Sequence, residues 1–181
     1  MQDDELTLGI PSPRTLQVQP VTKASFEPYG WIVEAGESDH VVNNGTALRH
    51  DIHAHAASDV LPGTRLVTSI FEAKAQHPDQ PIEMLERHPN SIQLIVPLGG
   101  AGHIVVVSQN KADGTPDFST FAAFWLSAAQ GLIYRRGLWH HPIMAIGADA
   151  RFLVQSWQNG TEADCETIAI EARAVSQGGP D

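Results

Sequence analysis

The sequence predicts a mainly β protein whose strands close into a small barrel, with a few short helices. Three observations carry that expectation. Apolar, β-branched runs are short and evenly spaced, at residues 65–71, 92–96, 103–108, 132–135 and 152–157. Gly, Pro, Asn and Asp collect between them, at 43–45, 97–102 and 110–117, as turns do. Gly99-Gly100-Ala101-Gly102 falls between two such runs rather than ahead of a helix, so it reads as a β-turn and not as a phosphate loop.

Taken in order, residues up to about 15 are polar, contain Pro11 and Pro13, and read as a flexible arm on a single domain spanning 1–181. Residues 22–29 suit a short helix, capped by Thr22 and stopped at Pro28 to Gly30. Residues 31–34 look extended, Asn43-Asn44-Gly45 is a turn, 65–71 a strand and 76–81 a loop. The runs 92–96 and 103–108 read as a hairpin closed by 97–102. Residues 120–126 suit a buried helix or strand by periodicity; their short-strand neighbours decide for a strand. The segment from about 171 to 181 is polar, ends Gln-Gly-Gly-Pro-Asp, and reads as a frayed tail.

Composition bounds the function. With 181 residues, 42% apolar and 18% charged, the chain can bury one sizeable core. A net charge of −10 and a pI near 5.2 argue against nucleic acid or anionic membrane as partner. They also require that any anionic substrate meet positive charge supplied by its site. The apolar runs are too short to span a membrane and no secretory leader pattern opens the chain. A single cysteine, Cys165, excludes an intramolecular disulfide, fits a cytoplasmic protein, and reads as a partly buried, inert thiol.

The chemistry concentrates in Glu86-Arg87-His88-Pro89, Gln93 and His140-His141-Pro142. In a strand, residues i and i+2 share a face, so Glu86 and His88 aim together if this segment is extended. Pro89 favours that by keeping His88 out of the α region. Gln93 would return to the same interior on the next strand, and a later His would complete the set. A carboxylate, two imidazoles and an amide are ligands for a divalent metal. The competing reading makes Glu86 and His88 a solvated surface group with Arg87. His50, His53 and His55 read as an exposed, incidental run; His40, His77 and His103 are given no role.

Glu86-x-His88-x4-Gln93-x6-Gly100 resembles the first cupin motif, with Glu in place of the first His and Gln in place of the carboxylate. Arg135-Arg136-Gly137-Leu138-Trp139-His140 resembles the second, with Arg135 in place of Pro. The longer segments ERHPNSIQLIVPLGG, PDFSTFAAF, QGLIYRRGLWHHPIMAIG, DCETI and VNNGTALRHD resemble the ureidoglycolate lyase family, from about Leu16 to Ile168. That resemblance implies a bicupin-like β-barrel, usually a homodimer, that splits (S)-ureidoglycolate into glyoxylate and urea in allantoin breakdown. It implies Ni²⁺ as cofactor, although such ligands also accept Mn²⁺, Zn²⁺ or Fe²⁺. Carried over, the ligands would be Glu86, His88, Gln93 and His140. Proton transfer would fall to His141 or Tyr134, with Glu86 as a further base. Asn44, Gly45, Arg49, Arg135 and Trp139 would hold the substrate. The chain departs from the family at Glu72, where an Arg is frequent, and after Arg49, where a Tyr before His-Asp is missing. Those departures leave open a related ureido- or amido-hydroxy acid, or a non-catalytic cupin that binds a small carboxylate.

Overall fold

Alternation between apolar and polar side chains lays most of the strands into two sheets that face each other across a shared core, with Val41–Val42 and Ala47–Leu48 as a separate two-stranded hairpin. The computed structural model describes residues 15–38 and 40–177, so the expected arm over 1–14 and the last residues of the tail lie outside the described residues. In chain order the strands are β1 (Leu16–Pro20), β2 (Gly30–Val33), β3 (Val41–Val42), β4 (Ala47–Leu48), β5 (Arg65–Ala73), β6 (Ala75–Gln76), β7 (Ile82–Arg87), β8 (Gln93–Gly99), β9 (His103–Ser108), β10 (Ala122–Leu126), β11 (Gly131–Tyr134), β12 (Trp139–His140), β13 (Met144–Ile146), β14 (Ala150–Gln158), β15 (Glu166–Arg173) and β16 (Val175–Gln177). One helix, α1 (Lys23–Phe26), starts where Thr22 accepts the Ser25 amide hydrogen bond, as the cap predicts.

The smaller sheet has the order β2-β11-β8-β14-β5. The larger runs β15-β7-β12-β9-β10-β1-β16, with β13 joined to β9 and β6 to β13. Its two edge strands, β15 and β16, are separated in sequence only by Ala174, so the sheet curls almost closed upon itself. β14 shows how the pattern works: Ala150, Phe152, Val154 and Ser156 are buried, and the residues between them are more open. β9 is buried along its whole length because it has a core on both faces. Val105 and Val107 join the core between the sheets, while Ile104 and Val106 join a second core inside the curl. Phe26 of α1 and Tyr29 pack edge-on against Phe124 in the core, and the Tyr29 hydroxyl donates to the Thr120 carbonyl at 2.6 Å.

Two expectations need correction. Residues 92–96 and 103–108 form strands but not a hairpin. β8 pairs with β11 and β14 in one sheet, and β9 pairs with β10, β12 and β13 in the other. Gly99 and Gly100, at φ 127° and 109°, carry the chain across. A Cβ on Gly100 would lie 2.6 Å from the Asp149 carbonyl oxygen, so this crossing also needs glycine for space. The tail also starts later than 171. β15 runs to Arg173, and β16 pairs in parallel with β1, burying Val175. Three residues of Val-Ser-Gln carry no strand signal of their own; pairing with β1 supplies it.

His103 is the one histidine wholly inside the core. It is fully buried with its ring edge-on to Phe152 at 5.1 Å, and neither ring nitrogen has a hydrogen-bond partner among the described residues. Burial pushes its pKa down to about 4. In the unfolded chain the same ring takes up a proton near pH 6.5. Between those values the unfolded state binds more protons, so stability falls as pH drops from 6.5 towards 4, by about 3 kcal/mol in all. Urea unfolding of the wild type and His103→Leu at pH 7.5 and 4.5 checks this: the wild type should lose more stability on acidification. Equal losses in both would show that His103 is not the group responsible.

Candidate active site

The four expected metal-ligating side chains meet where the chain leaves the larger sheet and enters the smaller one. Glu86 in β7 and His140 in β12 are directly opposed cross-strand partners. Gln93 opens β8 and lies opposite Tyr134 of β11 and Ser156 of β14. His88 sits in the connection between β7 and β8, two residues beyond Glu86, on the same side. Arg87 points the other way. It pairs with Glu166 at 2.6 Å and lies 4.6 Å over the Trp139 ring, so it is not part of a surface group with Glu86 and His88.

Ligand atoms of Glu86, His88 and His140 all lie within 4.8 Å of one another. Each imidazole is oriented from behind. His140 Nδ1–H donates to the Leu138 carbonyl at 2.9 Å, and His88 Nδ1–H donates to the Asp164 carbonyl at 3.0 Å. In neutral rings this leaves both Nε2 atoms as bare lone pairs facing the site. His140 Nε2 stands 3.4 Å from Glu86 Oε1, and it is buried without a hydrogen-bond partner. A lone pair and a carboxylate oxygen at that distance repel unless a cation or a proton lies between them. The donor set therefore fits a divalent metal on the geometry of the chain itself. Gln93 donates its amide N–H to His88 Nε2 at 3.0 Å; rotating the amide would present its oxygen as a fourth donor.

The electrostatics follow from the same packing. Burial alone would raise the Glu86 pKa, but the adjacent His140 ring, and then His88 and His141, hold it below the ordinary carboxylate range. Burial lowers His88 and His141 and keeps both neutral at pH 7. Tyr134 is stacked on His140, with ring centroids 4.3 Å apart. Its hydroxyl is fully buried with no partner among the described residues, and burial, reinforced by Glu86, drives its pKa far up. Cys165 is exposed rather than partly buried, and its Sγ lies 3.9 Å from Glu86 Oε2. Desolvation at the sulfur itself, and then the Glu86 charge, raise its pKa, so the thiol stays protonated.

A cavity of about 240 Å³ opens onto this cluster, lined by Glu72, Glu86, Gln93, His140, Pro142 and Ile143 among others. A larger cavity of about 500 Å³ adjoins it at Glu72 and Ala73, but it holds no imidazole and its Lys74 and Asp149 neutralise each other at 2.8 Å. The chemistry belongs to the smaller one.

The residues expected to hold substrate do not line this cavity. Asn44 and Gly45 cap the β3–β4 hairpin in left-handed conformation and are exposed. Arg49 pairs with Asp51 at 2.8 Å and lines a separate cavity with Lys23 and His40. Arg135 binds the Glu27 carbonyl and carboxylate, each at 2.7 Å, and lies over Trp31. Trp139 is a core residue whose Nε1–H donates to the Gly114 carbonyl. Residue patterns missed Asp164. Its backbone carbonyl orients His88 and its carboxylate accepts from Asn90 Nδ2 at 2.7 Å and from the Asn159 and Gly160 amides. The only sequence signal for it is its place at the head of DCETI.

Comparison with known proteins completes the description of the site. The family model described as ureidoglycolate lyase matches residues 13–176. A protein named ureidoglycolate lyase from Pseudomonas syringae pv. tomato is 36% identical over 160 residues, covering 87% of this chain and 91% of that one. A protein of the same name from Pseudomonas fluorescens is 36% identical over 155 residues, covering 84% and 90%. Among solved structures, a 3,4-ketoisomerase from Helicobacter canadensis overlaps 75% of this chain and 87% of its own at 17% identity and a TM-score of 0.38.

The oriented Nε2 atoms give a direct test. His140→Ala should remove one equivalent of Ni²⁺ uptake in calorimetric titration, whereas Arg49→Ala should leave uptake unchanged. Full uptake by His140→Ala would exclude this cluster as the metal centre.

Proposed function

This chain belongs to the ureidoglycolate lyase family, and from that premise we propose that it cleaves (S)-ureidoglycolate to glyoxylate and urea at the Glu86–His88–His140 cluster. The observation that carries the reading is the convergence of two imidazole rings, each held from behind, and a carboxylate at the head of a cavity. Glu86, His88 and His140 would hold a divalent ion, with the Gln93 amide as a fourth donor. When bound, the ion supplies Lewis acidity and positive charge that lower the pKa of a coordinated hydroxyl.

Charge supports metal dependence. The cavity wall carries Glu72 and Glu86 and no Arg or Lys, in a chain of net charge −10. A substrate carboxylate finds no cationic side chain there, so a metal is the natural source of positive charge. Ni²⁺ is the ion we propose, since imidazole with carboxylate suits it.

The reaction moves one proton. The substrate hydroxyl loses it, the O–H electrons become the aldehyde C=O, the C–N bond breaks, and the urea nitrogen gains a proton. A single group that accepts and then returns the proton is enough. Glu86, with its depressed pKa, is a better ligand than base. Tyr134, with its raised pKa, cannot accept. His141 is neutral and its Nδ1–H is committed to the Pro142 carbonyl at 2.8 Å, which leaves Nε2 free to accept. It stands beside Pro142 of the cavity wall, and we assign it the proton transfer.

Glu72 favours one alternative. A carboxylate in the cavity wall would select a substrate that offers a hydrogen-bond donor there, such as a related ureido- or amido-hydroxy acid. The homodimer reading is supported by β5, a long edge strand that exposes Leu66, Ile70 and Phe71. A cytoplasmic setting is supported by the lone, protonated Cys165. Among the described residues no helix is long and apolar enough to cross a membrane.

The assay is glyoxylate release from racemic ureidoglycolate, with and without added Ni²⁺ or Mn²⁺. Release should stop at one enantiomer's share and depend on metal. His141→Ala should lower kcat about 100-fold with metal content intact, and Glu86→Gln should lose metal. No release with any metal would reject the proposed function, and a fully active His141→Ala would reject the proton assignment.

A further inference from the structure

The loop between β4 and β5 carries a second set of converging donors. His53, His55 and Asp59 place ligand atoms within 4.8 Å of one another. His53 and His55, which the sequence reads as part of an exposed, incidental run, converge here with Asp59. His53 Nε2 lies 2.8 Å from Asp59 Oδ2, and both side chains are largely shielded, at 12% and 15% exposure. His55 is exposed and completes the group from the solvent side.

Each ring is fixed by an aromatic neighbour. His53 stacks on Trp31 at 3.8 Å, and His55 packs edge-on against Trp157 at 4.9 Å. Trp31 is itself held by the Arg135 guanidinium, 4.5 Å from its ring centre. Asp59 is held as well, because its Oδ2 also accepts the Ala56 amide at 2.8 Å. The residues between the donors, Ala54, Ala56, Ala57 and Ser58, are small and leave the approach open. A His–Asp pair needs only two partners. Here a third donor, with its own aromatic support, is brought to the same point.

We infer that His53, His55 and Asp59 form a second divalent-cation site, separate from the Glu86 cluster and selective for an ion that takes imidazole nitrogen with carboxylate oxygen, such as Zn²⁺. Three protein donors at the surface leave its remaining positions to water. The ion would tie down the loop that braces the first site. The Ile92 amide donates to the Asp59 carbonyl at 2.9 Å, the Leu61 amide donates to the Asn90 carbonyl, and Val60 bridges Ser91, just ahead of Gln93.

Calorimetric titration of the full chain with Zn²⁺ tests this. The wild type should take up two equivalents, His55→Ala one, His140→Ala one, and the double variant none. A wild type that takes up one equivalent, lost in His55→Ala and kept in His140→Ala, would uphold this site and reject the Glu86 cluster. Equal uptake by wild type and His55→Ala would overturn the inference. A spectroscopic arm guards against misfolding: Co²⁺ added to His140→Ala should give visible absorption bands that disappear on adding Asp59→Asn. No such bands in His140→Ala would overturn it equally.

Discussion

The site depends on one close contact between converging ligand atoms. His140 Nε2 and Glu86 Oε1 face each other at 3.4 Å, with His88 Nε2 close by, and the backbone holds both rings with their lone pairs inward. A neutral imidazole whose Nδ1–H is bound to a carbonyl cannot turn to relieve that contact without giving up its hydrogen bond. The cluster is therefore preorganised for something positive. The protein supplies no lysine or arginine to the cavity wall, which leaves a proton or a metal ion to fill the role.

The two-sheet architecture makes this contact possible. Glu86 and His140 are neighbours because β12 inserts between β7 and β9, and Gln93 joins them because the chain crosses sheets straight after His88. The crossing is tied down at several points. The Gly137 amide donates to the His88 carbonyl at 3.0 Å, Arg136 Nε–H donates to the Pro89 carbonyl at 2.6 Å, and Asn90 binds Asp164. Side chains fixed on strands and on a braced connection keep the geometry that loosely held ones would relax.

How much of this was legible in the sequence depended on which atoms carry the information. Glu86, His88, Gln93 and His140 could be read because strand alternation and a proline fix side-chain direction. Asp164 and Leu138 could not, because they act through backbone carbonyls that any residue would provide. The strands 92–96 and 103–108 were legible, but their pairing was not, since sequence neighbours make a hairpin only when no longer strand competes. Here β14 pairs along β8 through six positions and takes it into the other sheet. Arg49 and Arg135 looked free in sequence, yet Asp51 and Glu27 engage them in the fold. His53 looked exposed because its cover, Trp31, lies more than twenty residues away in the chain.

Buried polarity by itself does not mark a site, and His103 shows why. Its ring is as deeply buried as His140; both its nitrogens lack a partner, whereas His140 lacks one only at Nε2. An unmet buried polar group costs about 1–3 kcal/mol, so both positions destabilise the fold. The difference lies in what surrounds them. His103 meets Phe152 and the aliphatic core, with no second donor converging on its nitrogens. His140 Nε2 shares its space with a carboxylate and another imidazole, beneath a cavity that a small molecule can enter. Several other buried polar side chains are satisfied: the Ser108 hydroxyl donates to the Asp117 carbonyl at 3.0 Å, and Ser91 Oγ accepts from the Trp157 amide at 2.9 Å. Convergence of several ligand atoms on accessible space, rather than burial, separates a binding centre from an isolated polar group in the core.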